Sequence, residues 1–89
     1  PGLICSAGQF IVRGKLTNKF YLYLCILFPG VRVARGAQLS RCIVMQDTHI
    51  AADAILRNVI ADKNVRIGPT VTLTGCEALP IVIPKGSEL

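Results

Sequence analysis

The side chains most suited to binding a ligand recur at one spacing in the sequence. Arg32, His49 and Arg66 are 17 residues apart, and each directly precedes an aliphatic residue. If the chain repeats with that period, these three side chains form an outward basic stripe. Guanidinium groups match the oxygens of phosphate and sulfate, so the stripe predicts an anion site. A solvated face with well-spaced charges is the alternative interpretation.

Two lysines lie in short runs typical of turns. Lys63 stands between Asp62 and Asn64, and Lys85 stands between Pro84 and Gly86. Asp, Asn, Pro and Gly favour turns between strands, so both lysines are expected to be exposed. They are either solubilising charges or further contacts for an anion.

The cysteines predict packing rather than metal chemistry. Cys25, Cys42, Val59 and Cys76 occupy one position of the same repeat, and a valine in that position indicates a need for a small apolar side chain. The sequence has no CxxC pair and a single His, so it predicts no zinc site and no other metal site. With no export signal, the thiols are expected to be reduced and the protein cytoplasmic.

The repeat itself predicts the fold. Val33–Leu39, Ile50–Leu56 and Ile67–Leu73 start 17 residues apart, and Ile83–Leu89 follows at nearly the same interval. Each unit divides into three sides, one of them shorter by a residue, with an aliphatic residue on each side. This is the hexapeptide pattern of an all-β, left-handed parallel β-helix, here of about five coils, in which stacked coils share one core. A small antiparallel sandwich or barrel is the alternative fold.

The region before Val33 fits the 17-residue repeat less well. Phe10–Leu16 matches it but lies farther before Val33 than one repeat, and the excess equals one side of a coil. Leu16–Asn18 begins a pattern that Cys25 completes, so Lys19–Leu24 is predicted to be an insert. The insert is either an apolar surface loop or an extra strand at a coil edge.

Size and charge limit the remaining possibilities. Eighty-nine residues, 52% of them hydrophobic, make a single domain spanning 1–89. No apolar run reaches the roughly 18 residues of a membrane helix. The net charge of +5 is spread along the chain, so neither nucleic acid nor a membrane is the expected partner. The abrupt start at Pro1 suggests a fragment.

Four stretches together carry a family resemblance. Ile26–Val33, Ile43–Thr48, Val59–Gly68 and Pro80–Gly86 resemble the C-terminal domain of bacterial glucose-1-phosphate adenylyltransferases, also called ADP-glucose pyrophosphorylases. The resemblance covers about residues 3–89 apart from the insert. The short C-terminus is more similar to the paralogous glycogen-biosynthesis subunit.

The resemblance implies a regulatory role rather than catalysis in this chain. Enzymes of the family make ADP-glucose from ATP and glucose 1-phosphate with Mg, in an N-terminal nucleotidyltransferase domain with a GGxGxRLxPLT-like loop. This sequence has no such loop, so we expect no catalytic residue and no cofactor here. By resemblance, the expected partners are that catalytic domain of the same polypeptide, other subunits of a homo- or hetero-oligomer, and a phosphorylated effector. Lys63 matches an effector-binding position, with Arg66 and Lys85 as further candidates.

Two other functions are also compatible with the sequence. A hexapeptide-repeat acyltransferase would use His49 as its general base. A purely structural β-helix would leave the basic positions merely solvated.

Overall fold

A computed structural model describes residues 21–89 and the backbone of three short strands upstream of them. The regular structure that it describes is β-strand throughout. In chain order the strands are β1 (Leu3–Ile4), β2 (Phe10–Val12), β3 (Lys15–Leu16), β4 (Tyr21–Tyr23), β5 (Cys25–Leu27), β6 (Arg32–Val33), β7 (Gln38–Ser40), β8 (Ile43–Val44), β9 (His49–Ile50), β10 (Ile55–Arg57), β11 (Val59–Ala61), β12 (Arg66–Ile67), β13 (Thr72–Thr74) and β14 (Ile81–Ile83).

From β4 onward the strands build a triangular coil. They form three parallel sheets, with orders β6-β9-β12, β4-β7-β10-β13 and β5-β8-β11-β14. Strands that follow one another in sequence belong to different sheets, as a β-helix requires. The predicted fold class is therefore confirmed. The predicted number of about five coils is wrong, because residues 21–89 make three complete turns and a partial fourth.

Equivalent side chains stack from coil to coil. Val33, Ile50 and Ile67 are register neighbours in one sheet. Leu22, Leu39 and Leu56 stack in a second sheet, and each is fully buried. Neighbouring strands lie about 4.8 Å apart, so the inward side chains of successive coils form one continuous core. A single coil could not bury this face alone, and the stack therefore stabilises every coil within it.

The corners of the triangle need left-handed backbone. Leu24, Arg41 and Asn58 have φ between 52° and 54° at one corner, and each lies one full repeat after the last. Gly30 at a second corner has φ 81°, and a Cβ there would collide with the Asp47 carboxylate. The repeat thus includes turn positions where most side chains are disfavoured, which is why Gly, Asn and Asp recur at these corners.

The prediction that Lys19–Leu24 is an insert is wrong for the residues of this segment that the structure describes. Tyr21, Leu22 and Tyr23 are the regular strand β4 and pair with Gln38–Ser40, one repeat later in the chain. Leu22, not Leu16, therefore starts the first complete coil. Lys19 and Phe20 lie outside the described residues.

The three upstream strands reverse the direction of the chain. β1, β2 and β3 pair antiparallel with β6, β5 and β4, one on each side of the first coil. The prediction of a further parallel coil over Phe10–Leu16 is therefore wrong. These short antiparallel strands cover the exposed edges of the first coil, as capping segments do in repeat proteins.

The last turn is longer than the others. Ile83 stacks on Ala61, which lies more than one repeat earlier. The backbone of Glu88 forms an isolated parallel β-bridge with that of Arg66. The predicted equivalence of Ile83 with Ile67 is therefore wrong, because the chain from Gly75 to Pro80 leaves the coil and returns to it through a bridge between Cys76 and Leu79. Beyond this excursion the stacking resumes in register.

Candidate anion-binding surface

The predicted basic column exists. Arg32 pairs with His49, and His49 pairs with Arg66, on the outer face of β6, β9 and β12. Both arginines are exposed and His49 is half-buried. Partial burial lowers the pKa of His49, and the charges of Arg66 and Arg32 lower it further, against an opposing effect of Asp47. The neutral form of His49 is therefore favoured, and the two arginines supply the charge of the column.

The column ends in a carboxylate that the sequence pattern did not reveal. Glu88 continues it beyond Arg66, and the Arg66 N–H donates to Ser87 O at 2.8 Å. The exposed acidic side chain limits the positive potential at this end. A nearly constant spacing does not predict Glu88 at this position, because the last turn is longer than the others.

Lys63 and Lys85 occupy the same corner on adjacent coils. The Gly86 N–H donates to Lys63 O at 3.0 Å, so Pro84–Gly86 lies directly over Asp62–Asn64. Both lysines are exposed, as predicted. Two ammonium groups on flexible stems thus project from neighbouring turns about 4.8 Å apart along the axis.

A buried hydroxyl supports the Lys63 turn from the coil before it. Thr48 is fully buried, and its hydroxyl donates to Asp62 O at 2.7 Å and accepts from the Val65 N–H at 3.3 Å. The Asp62 carboxylate in turn accepts from the Lys63 N–H at 2.7 Å. These bonds fix the backbone that carries Lys63, while its ammonium group stays free to move.

The geometry separates the predicted residues into two groups. Lys63, Lys85 and Arg66 lie around one corner, since Arg66 begins the strand that directly follows the Lys63 turn. Arg32 lies two coils from Arg66, about 10 Å away along the axis. We define Lys63, Arg66 and Lys85 as the basic corner. Its exposed cations can bind an oxyanion from solvent.

The cysteines pack as small apolar side chains. Cys25 and Cys42 are buried in successive coils, with Val59 next in the column. The Cys42 thiol donates to Ser40 O at 3.3 Å and Leu56 O at 3.4 Å. The neighbouring Cys25 thiol and burial together raise the pKa of Cys42, so it stays protonated. The prediction for Cys76 is wrong: it is exposed in the excursion, and Ile81 takes the place next to Val59.

Neither a metal site nor a membrane helix is found in the part of the chain that the structure describes. Within residues 21–89, His, Cys, Asp and Glu side chains form no group of three or more that could hold a metal ion. The same region contains no helix long and apolar enough to cross a membrane.

The stacked coils, the constant register between them and the recurring left-handed corners define a hexapeptide-repeat β-helix. Residues 4–78 match the family described as GlmU-like, C-terminal hexapeptide, so the chain belongs to this family.

Curated relatives narrow the resemblance further. The chain is 45% identical over 80 residues to the glycogen biosynthesis protein GlgD of Bacillus subtilis, covering 90% of this chain and 22% of that protein. It is 38% identical over 61 residues to the glucose-1-phosphate adenylyltransferase of Sinorhizobium fredii, covering 68% and 13%. For the enzyme of the same name from Parafrankia the identity is 32% over 74 residues, covering 82% and 18%. The chain therefore spans only about a fifth of the length of these relatives, or less. No solved structure shows a significant match to it.

Proposed function

We propose that this chain is the regulatory and oligomerisation domain of a glucose-1-phosphate adenylyltransferase-type subunit, which binds a phosphorylated effector at the basic corner. The observation that carries the proposal is the stacking of Lys63 and Lys85 in one corner through the Gly86 to Lys63 hydrogen bond. The three named relatives, two glucose-1-phosphate adenylyltransferases and a glycogen biosynthesis protein, support the functional setting.

In this proposal the chain does no chemistry itself. ATP, Mg and glucose 1-phosphate would act in a catalytic domain of the same polypeptide, in the cytoplasm. The basic corner would bind the effector through charge-assisted hydrogen bonds from two ammonium groups and one guanidinium group. Since all three side chains are exposed, binding is expected to be weak and to weaken further as salt is added.

An apolar face supports the oligomerisation part of the proposal. Ile26, Ile43, Ile60 and Val82 stack in register on the outer face of β5, β8, β11 and β14. Corresponding outward positions on the sheet that carries Arg32, His49 and Arg66 are polar. A continuous aliphatic row of this kind is typical of a surface that packs against another folded surface.

A titration followed by NMR tests the effector site. Inorganic phosphate and a sugar bisphosphate are expected to shift the amide signals of Lys63 to Val65 and of Lys85 and Gly86. Lys63→Gln should weaken binding about fivefold, the effect of losing about 1 kcal/mol of contact. Arg35→Gln removes an exposed charge at a different corner and is the matched control. Absence of shifts at both turns, or an equal loss in the control, would contradict the effector site.

Sedimentation velocity tests the apolar face separately. The chain is expected to associate as its concentration is raised, and Ile43→Glu should keep it monomeric because a charge then lies in the middle of the row. Thr72→Glu, on the polar outer face of β13, should leave association unchanged. A wild-type chain that stays monomeric at high concentration would contradict the oligomerisation role.

A further inference from the structure

A second surface with binding chemistry lies on the sheet formed by β4, β7, β10 and β13. On β4 the outward side chains are Tyr21 and Tyr23, and the buried Leu22 lies between them. The two rings are parallel within 8°, with their centroids 6.5 Å apart. They form an aromatic wall along the strand of the first coil.

The wall borders a groove of about 380 Å³. On the next coil the outward residues are Gln38 and Ser40, and on the coil after that Arg57 projects from the position in register with Ser40. The polar lining of the groove is completed by a corner residue of the second coil, Arg41. The groove thus has an aromatic wall, a floor that carries an amide and a hydroxyl, and a guanidinium wall two coils away.

The charges in the groove are available to a ligand. Arg57 is exposed. Arg41 pairs with the carboxylate of Glu77, with Nη1 and Oε2 3.6 Å apart and the two side chains 45% and 84% exposed. An ion pair of that length and exposure contributes little stability, so an anionic ligand could displace Glu77 from the Arg41 guanidinium.

The two tyrosine side chains are not part of the hydrophobic core. The aromatic wall therefore needs an explanation other than core packing. Tyr23 is 38% exposed although the equivalent positions in the following coils hold Ser40 and Arg57. These are the only two tyrosines in the sequence, and both face the groove. A merely solvated sheet face has no need of two adjacent aromatic rings, whereas a site for a flat apolar ring does.

We propose that this groove binds a small phosphate monoester carried on a ring, with the ring against Tyr21 and Tyr23 and the phosphate at Arg57 and Arg41. Tyrosine rings stack on the flat face of a sugar or a base, and the guanidinium fork matches phosphate oxygens. Gln38 and Ser40 can hydrogen-bond to ring hydroxyls or ring nitrogens. The volume falls within the range of about 300–1,000 Å³ common for small-molecule sites. The site is separate from the basic corner, which lies on β12 and on the turns that follow β11 and β14.

Tyrosine fluorescence gives a direct test, because the chain has two tyrosines and no tryptophan. Glucose 1-phosphate is the phosphate monoester whose ring is a sugar, and its binding is expected to change the tyrosine emission. Adenosine 5′-monophosphate is the one that carries a nucleoside base, and because it absorbs light its binding is measured by calorimetry. At least one of the two should bind about tenfold more tightly than inorganic phosphate, since stacking a ring on tyrosine adds roughly 1–1.5 kcal/mol.

Variants separate ring from charge. Arg57→Gln should weaken binding about fivefold, as expected for the loss of about 1 kcal/mol at an exposed site. Tyr21→Phe keeps the ring and should bind normally, while Tyr21→Ser should not. Lys63→Gln should have no effect here, so failure of this site and failure of the effector site are distinguishable. Equal affinity for phosphate and both ring phosphates, or binding indifferent to Arg57→Gln and Tyr21→Ser, would overturn the proposal.

Discussion

Replacing Thr48 with valine should destabilise the β-helix and loosen the turn that carries Lys63. Valine has nearly the same shape as threonine, so the fully buried site keeps its packing. What disappears is the hydroxyl that donates to Asp62 O at 2.7 Å and accepts from the Val65 N–H at 3.3 Å. Val65 is itself fully buried, so its N–H cannot turn to water instead.

The magnitude follows from these contacts. A buried donor left without its acceptor costs about 1–3 kcal/mol, so we expect the free energy of unfolding to fall by about 2 kcal/mol. For a domain of this size that corresponds to a Tm lower by about 8–16 °C. A turn of this kind can also close on itself, as the related turn before Val31 does with a bond from the Val31 N–H to Phe28 O at 3.3 Å, and such closure would recover part of the loss.

Urea unfolding and amide hydrogen exchange measure the effect. Thr48→Ser is the matched control, because it keeps the hydroxyl and loses only a methyl group, at a cost of about 1 kcal/mol. In Thr48→Val the Val65 amide should exchange faster than in wild type, and the Lys63 signal should shift. A loss below about 0.5 kcal/mol, or a larger loss in Thr48→Ser, would refute the assignment of the hydroxyl as the support of this turn.

Three further changes have expected outcomes. Gln46→Met should raise the free energy of unfolding by about 1 kcal/mol in urea titrations, because Gln46 Oε1 is buried without a hydrogen-bond partner. Leu24→Asn should raise Tm, since Leu24 holds φ 52° with 41% exposure, and asparagine avoids about 1 kcal/mol of left-handed strain. The folded-state pKa of His49 lies below its unfolded value of 6.5, so the unfolded chain binds more protons as pH falls through that value. Stability should therefore decline below about pH 6.5, and His49→Gln should flatten that decline in Tm measured across pH.

The sequence predicted the periodic part of the fold and failed where the period breaks. A constant spacing was enough to place Arg32, His49 and Arg66 in one column, because equal spacing on a coil of constant length puts side chains in line. It did not predict the direction of the upstream strands. Alternation of apolar and polar residues is the same for parallel and antiparallel strands, so Phe10–Val12 fitted the frame although it runs backwards.

The stacking of Lys85 on Lys63 was also missed, although a signal was present. The spacing along the chain aligns Ile83 with Ile67, since both are aliphatic residues at nearly the interval of the repeat. The turn residues indicate the register between coils more clearly than the core residues do. Asn64 and Gly86 both have positive φ and both follow a lysine, so matching the left-handed positions would have recovered the true register. Core residues are interchangeable aliphatics, whereas turn residues carry backbone constraints that differ from corner to corner.

The excursion at Gly75–Pro80 shows that this architecture accepts extra length at a vertex. The path from β11 to β14 is longer than the path from β8 to β11, yet both pairs keep their hydrogen-bonded register. The vertex between β13 and β14 is consequently a natural attachment point for foreign peptide, such as an epitope or an affinity tag. The same addition within a flat side would shift every rung beyond it by one or more places and turn buried side chains to the outside.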